Sequence, residues 1–133
     1  DGDIGIIGNG AGLVMGTLDV VAHFGGRPAN FLDMGGGSSA ESVYTAVKLC
    51  LKQSNLSAVF VNILAGITKC DDVANGLVKA LDESKSKTPF TVRMVGTNEE
   101  EGRKILAANN IAYLDSMETA AEAVVKSAKR RSS

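Results

Sequence analysis

Tryptophan is missing from this sequence, histidine occurs once, and proline and cysteine occur twice each. Each scarcity narrows the chemistry. The single histidine, His23, sits late in an expected helix and reads as a surface or packing residue, and no Ser/His/Asp arrangement or metal-ligand spacing is in evidence. Cys50 and Cys70 fall on expected helices without CxxC or Cys/His spacing, so neither a zinc site nor a disulfide framework is indicated, and a reducing cytoplasm suits them. No apolar run approaches the roughly 18 residues that span a bilayer, and the opening DGDIGII has no basic leader, so neither a membrane nor a secreted chain is expected. A surplus of one charge sign is also absent. Fourteen basic against fifteen acidic residues leave −1, without the broad basic footprint of nucleic-acid binders.

What is present suits one packed domain. The chain has 133 residues, of which 44% are hydrophobic and 22% charged. The first residue is Asp rather than Met and a strand-like segment follows at once, which suggests a piece of something longer. Short apolar β-rich runs alternate with helical patterns. Strands are expected at Ile4 to Ile7, Asn30 to Asp33, Ala58 to Ile63, Thr91 to Met94 and Ala112 to Leu114. Most are apolar throughout, as strands covered on both faces of a parallel sheet must be. Helices are expected from about Gly12 to Phe24, Ala40 to Lys52, Asp71 to Glu83 and Glu99 to Ala108, with Ser116 capping a last one. Five βα units predict an α/β fold: a five-stranded parallel sheet, doubly wound, as a flavodoxin-like three-layer sandwich of strand order 2-1-3-4-5. The domain is expected over residues 1–128. Lys129, Arg130 and Arg131 with two serines read as a disordered basic tail, 129–133.

In such sheets ligands bind beyond the carboxyl ends of the strands, so the loops there carry the functional reading. Asn9-Gly10-Ala11-Gly12 opens a helix, where uncovered amides attract anions, yet the spacing matches neither GxGxxG nor a Walker loop. A ligand-free turn fits as well. Gly35, Gly36 and Gly37 either uncover amides or form a hinge. Gly66, Ile67 and Thr68 precede a helix whose first-turn Asp71 and Asp72 suit a cap as readily as a site. Arg93, beside Gly96, Thr97 and Asn98, can clamp a carboxylate bidentately or pair structurally, for instance with Asp33. Together the loops describe an anion pocket without acid-base machinery.

Four segments carry a resemblance: NGAGLVMGTLD at 9–19, GGRPANFLDMGGG at 25–37, VNILAGITKCD at 61–71 and VRMVGTNEEEG at 92–102. In order and spacing they resemble the carboxy-terminal CoA-ligase domain of succinyl-CoA synthetase β subunits, nearly end to end. Similar domains occur in malate-CoA ligase and ATP-citrate lyase. The resemblance implies a tricarboxylic acid cycle ligase in the cytoplasm, or in the mitochondrial matrix of a eukaryote. It also implies an α-subunit partner that binds CoA and carries a phosphorylated histidine, and an ATP-grasp domain using ATP or GTP with Mg²⁺. No cofactor is expected in this domain, which should be inactive alone.

By the same resemblance Asn9 and Gly10 lie near phosphate and acid, and Gly35, Gly36 and Gly37 form a substrate-side loop. Gly66, Ile67 and Thr68 offer amides to carboxylate and phosphate, while Arg93 with Gly96, Thr97 and Asn98 holds the remote carboxylate of succinate or a related dicarboxylate. Two departures stand out, Ala65 where the family usually has glycine and Val95 where many members have glutamate. The alternatives are a non-catalytic flavodoxin-like anion-binding or interaction module, and a piece that mainly docks the α subunit.

Overall fold

Strands that are apolar at every position need cover on both faces, and helices supply it here. The computed structural model describes residues 2–34, 39–53, 55–65 and 69–132. In chain order the elements are β1 (Ile4–Gly8), α1 (Ala11–His23), β2 (Pro28–Asp33), α2 (Ala40–Leu51), β3 (Ala58–Ala65), α3 (Cys70–Ser84), β4 (Phe90–Gly96), α4 (Glu99–Ala108), β5 (Ala112–Tyr113) and α5 (Met117–Ser132). The five strands form one sheet in the order β2-β1-β3-β4-β5, parallel at every pairing. This is the α/β architecture and strand order that the sequence predicts.

Alternation along each strand sorts the core into two layers. Ile7, Val59, Val61 and Val92 face α2, α3 and α4, packing with Val47, Leu77 and Leu106. Ile4, Ile6 and Phe60 face the other way, against Val21 of α1 and Val124 of α5. Phe60 is wholly buried, and truncating it to alanine would cost about 3–5 kcal/mol in lost contacts and cavity.

The boundaries differ in informative ways. β3 and β4 each run two residues past the expected end, paired as far as Ala65 and Gly96, so the central strands project beyond β1 at the carboxyl edge. β5 is only two residues long, although the Leu114 amide still bonds the Val92 carbonyl at 3.0 Å. β2 begins at Pro28, where a proline without an N–H is tolerated at the first position of an edge strand. α5 continues through Lys129 and Arg130 to Ser132, over residues read as a tail. Cations in a last turn offset the carbonyl end of the helix dipole, which favours that extension. Ser116 does cap α5: its hydroxyl accepts the Thr119 amide at 3.4 Å.

Glycine sets one close approach. A Cβ on Gly76 of α3 would lie 2.3 Å from the Ala40 carbonyl oxygen at the start of α2, so that helix pair can meet only with hydrogen there. Gly16 of α1 has open space around its missing side chain. In urea melts Gly76→Ala is expected to lose about 1–3 kcal/mol by forcing the helices apart. Gly16→Ala should gain up to about 1 kcal/mol through helix propensity. Equal effects of the two would refute the packing argument. Cys50 and Cys70 are free and wholly buried, and burial pushes both thiols up to about 11. A raised thiol leaves little thiolate at neutral pH, so a disulfide reagent near pH 8 should label neither until the chain unfolds. Rapid labelling of the native chain would contradict this.

Candidate functional site at the carboxyl edge

α1 starts at the carboxyl edge of β1 and runs back along the sheet, which places His23 at the far end, exposed and edge-on to Phe24 at 5.2 Å. At the near end the registers align four residues in one lateral row: Asp33 of β2, Gly8 of β1, Asn62 of β3 and Arg93 of β4. Neighbours in register share a face. A Cβ on Gly8 would stand 3.1 Å from Val14 of α1, so the row lies under α1. Below it the same face is apolar, with Ile6 and Phe60. The row marks the level at which core gives way to polar chemistry.

Asn62 is wholly buried and satisfied at both ends. Its Nδ2 donates to Thr17 Oγ1 at 2.9 Å, and the Thr17 hydroxyl donates to the Leu13 carbonyl at 2.7 Å. Its Oδ1 accepts from Arg93 Nη1 at 2.9 Å, while Arg93 Nε donates to the Asp115 carbonyl at 3.2 Å. The Asp33–Arg93 ion pair entertained from the sequence is therefore replaced by other partners. β1 and β3 lie between the two residues, a separation of roughly 14 Å, and Asn62 takes the guanidinium first. Both acceptors of Arg93 are neutral, and the ion pairs among the described residues are Lys48–Glu83 and Arg103–Asp115. Among the described residues the half-buried Arg93 thus has no anionic partner.

The loops above the row are tied to one another. Asp33 Oδ1 accepts the Gly10 amide at 2.7 Å, which binds the exit of β2 to the entry of α1. Asn9 brackets Leu64, donating to its carbonyl at 2.6 Å and accepting its amide at 2.9 Å, as an added strand residue would. The Thr97 amide reaches the Ala65 carbonyl at 3.4 Å, and the Cys70 amide the Thr97 carbonyl at 2.8 Å. Asn98 Nδ2 donates to Asp71 Oδ1 at 3.2 Å, so this first-turn acid of α3 also holds the neighbouring loop.

Asn9, Gly10, Arg93, Gly96, Thr97 and Asn98 are thereby brought to one edge. Gly35, Gly36, Gly37, Gly66, Ile67 and Thr68 lie outside the described residues. The expectation of an uncovered amide needs correction at Gly10, which donates to Asp33; the Thr97 and Gly96 amides are also used internally, by the Ala65 carbonyl and by Glu99 Oε1 at 3.1 Å. Their geometry still demands these residues. Gly10 has φ 118 and Gly96 φ 127, and a Cβ on Gly96 would overlap the Ala65 carbonyl. Asn98 adopts φ 58, a left-handed conformation that asparagine tolerates.

Sequence reasoning missed Asn62, Thr17 and Asp115. The signal for Asn62 was present: an amide within the otherwise apolar AVFVNIL must find partners once buried. The described residues contain no cluster of three His, Cys, Asp or Glu able to hold a metal. No helix among them is long and apolar enough to cross a membrane.

Comparison with known proteins gives this geometry its class. The family model for CoA-ligase matches residues 7–127, and the chain belongs to that family. Among its relatives, the β subunit of succinate–CoA ligase (ADP-forming) of Desulfurococcus amylolyticus is 53% identical over 126 residues, covering 95% of this chain and 33% of the relative. The same subunit of Ignicoccus hospitalis is 56% identical over 129 residues, covering 97% and 34%. The chain thus spans about a third of these relatives' length. Solved structures share the fold. One is a dinucleotide-forming acetyl-coenzyme A synthetase 1 of Ca. Korarchaeum cryptofilum in complex with phosphate and ADP, with TM-score 0.82, 23% identity, and coverage of 97% of this chain and 33% of that one. Another is an ATP citrate lyase of Methanothrix soehngenii in complex with citrate and coenzyme A, with TM-score 0.63, 20% identity, and coverage of 86% and 35%.

The tie between Asp33 and Gly10 can be tested in the chain itself. Asp33→Ala should cost about 0.5–1.5 kcal/mol in chemical denaturation, an exposed hydrogen bond's worth. Asp33→Asn keeps the acceptor oxygen and should lose less, about 0.3–1 kcal/mol of attraction to the helix start. Equal losses would show that the bond contributes nothing.

Proposed function

We propose that this chain is the carboxy-terminal domain of the β subunit of a nucleoside-diphosphate-forming succinate–CoA ligase, where it binds the acid's carboxylate and the phosphate of a phosphohistidine, and contacts the α subunit that carries that histidine. One observation carries the reading: Arg93 is held in place by two neutral acceptors and keeps its charge at the carboxyl edge of the sheet. A guanidinium so fixed, with N–H groups to spare, suits the remote carboxylate of a diacid. Asn9 and Gly10 stand on the same edge, where β2 and β3 end, and Gly35, Gly36, Gly37, Gly66, Ile67 and Thr68 follow those strands in the sequence.

In this scheme the domain contributes position and charge. The acid's carboxylate oxygen attacks the phosphohistidine phosphorus, the P–N bond breaks, and an acyl phosphate forms. The thiol of CoA then displaces phosphate and leaves the thioester. Arg93 restrains the far carboxylate so that the near one meets phosphorus, and two anions are brought together by fixed donors and not by a general base. ATP or GTP, Mg²⁺ and CoA belong on this reading to the α subunit and to the remainder of the β chain, and the domain alone is inactive. The internal use of the Gly10, Gly96 and Thr97 amides leaves fewer donors for an anion and favours a second reading, a non-catalytic flavodoxin-like interaction module.

Full-length β chain assembled with its α partner decides between them. Succinate, CoA and ATP or GTP with Mg²⁺ are expected to yield nucleoside diphosphate, phosphate and thioester; absence of turnover with every dicarboxylate offered supports the module. Arg93→Leu should raise KM for the acid about ten- to a hundredfold, one charge-assisted clamp of about 1.5–3 kcal/mol. Phosphorylation of the α-subunit histidine should be left intact, and an equal fall in both would make Arg93 structural.

A further inference from the structure

Arg93 is aimed by another side chain that touches no rim. We propose that Asn62 is a positioning residue for acid binding: its amide fixes the direction of the Arg93 guanidinium without neutralising it, and ties it to α1. The proposal rests on the reading of Arg93 as the acid's partner.

An amide suits this task for a reason of charge. Asn62 Oδ1 accepts from Arg93 Nη1 at 2.9 Å, and Nδ2 donates to Thr17 Oγ1 at 2.9 Å, within a side chain that is wholly buried. A carboxylate of the same shape would grip the guanidinium more strongly but would supply the very counter-charge that an incoming acid must provide. An aliphatic side chain would release one of the guanidinium's two anchors. The other anchor, the Asp115 carbonyl, is neutral as well. Asp115, whose carbonyl is that anchor, pairs its carboxylate with Arg103 at 3.7 Å, and Asp33 lies three strand spacings away from Arg93. Through Thr17 and the Leu13 carbonyl, the amide also sets Arg93 relative to the helix whose amino end carries Asn9 and Gly10. Buried networks of this kind are satisfied in one arrangement only.

The test is steady-state kinetics of the assembled ligase carrying Asn62→Asp or Asn62→Leu. Each should raise KM for succinate roughly tenfold, as loss of one charge-assisted interaction does, while KM for CoA and the rate of α-histidine phosphorylation stay unchanged. A merely structural Asn62 predicts otherwise: Asn62→Asp, which keeps an acceptor for Arg93, would behave as wild type, and Asn62→Leu would depress every step together. Either result overturns the proposal. Combined with Arg93→Leu, Asn62→Leu should add nothing, whereas additive losses would refute the coupling. If Asn62→Leu does not fold, Asn62→Asp with Thr17→Val decides; Thr17→Val cuts only the link to α1 and should raise the same KM by less. Unchanged KM in both refutes the role. The two readings fail separately: an unchanged KM in Arg93→Leu sinks the acid-binding assignment, whereas a raised one there beside a wild-type Asn62→Asp sinks only Asn62.

Discussion

An asparagine buried in the middle of an otherwise apolar strand constrains everything at the carboxyl end of this sheet. Left without partners, its amide would cost on the order of 1–3 kcal/mol, so the fold is most stable when Thr17 and Arg93 arrive together on either side of Asn62. That requirement sets the height of α1 over β1 and β3. Gly8 permits it, because even a methyl group there would crowd Val14 and the Asn62 carbonyl oxygen, at 3.1 and 3.2 Å. Small residue, amide and guanidinium therefore form one lateral unit across three strands.

Most of the fold was legible because its cause is local. Ala58 to Val61 and Ile4 to Ile7 are apolar at successive positions, a pattern that makes sense only with helices on both faces. Strand ends were less legible for a matching reason. Leu64 and Ala65 look like loop by composition, yet pairing with Val95 and Gly96 keeps them in the ladder, and the partner of a strand residue is not written beside it. The end of α5 illustrates the same limit: Lys129 and Arg130 suit a solvated tail and a helix terminus equally, and packing of Val125 and Ala128 under the sheet carries the helix onward.

The site was read as a collection of residue types. The resemblance of four segments put Asn9, Gly10, Arg93 and the Gly96–Asn98 turn in one place, and the described loops do meet at one edge. Whether a peptide N–H is free could not be read, since its partner lies far along the chain: Asp33 is 23 residues from Gly10, and Leu64 is 55 from Asn9. The Asp33–Arg93 pair was a charge argument made without register. The expected strand order already put β1 and β3 between those residues, so topology alone weighed against it.

Closure of the loop amides and openness of the arginine belong to one electrostatic arrangement. Asp33, Asp71, Glu99 and Asp115 crowd the edge where an anion is proposed to bind, and their unbalanced charge would repel it. Each has a donor of its own: a Gly10 amide, an Asn98 side chain, a Gly96 amide and the Arg103 guanidinium. Amides spent on these acids brace the loops without removing their charge, and among the described residues Arg93, set against neutral oxygens, has no anionic partner. Selectivity for an anion then depends less on how many N–H groups line the rim than on which charges are already satisfied within it.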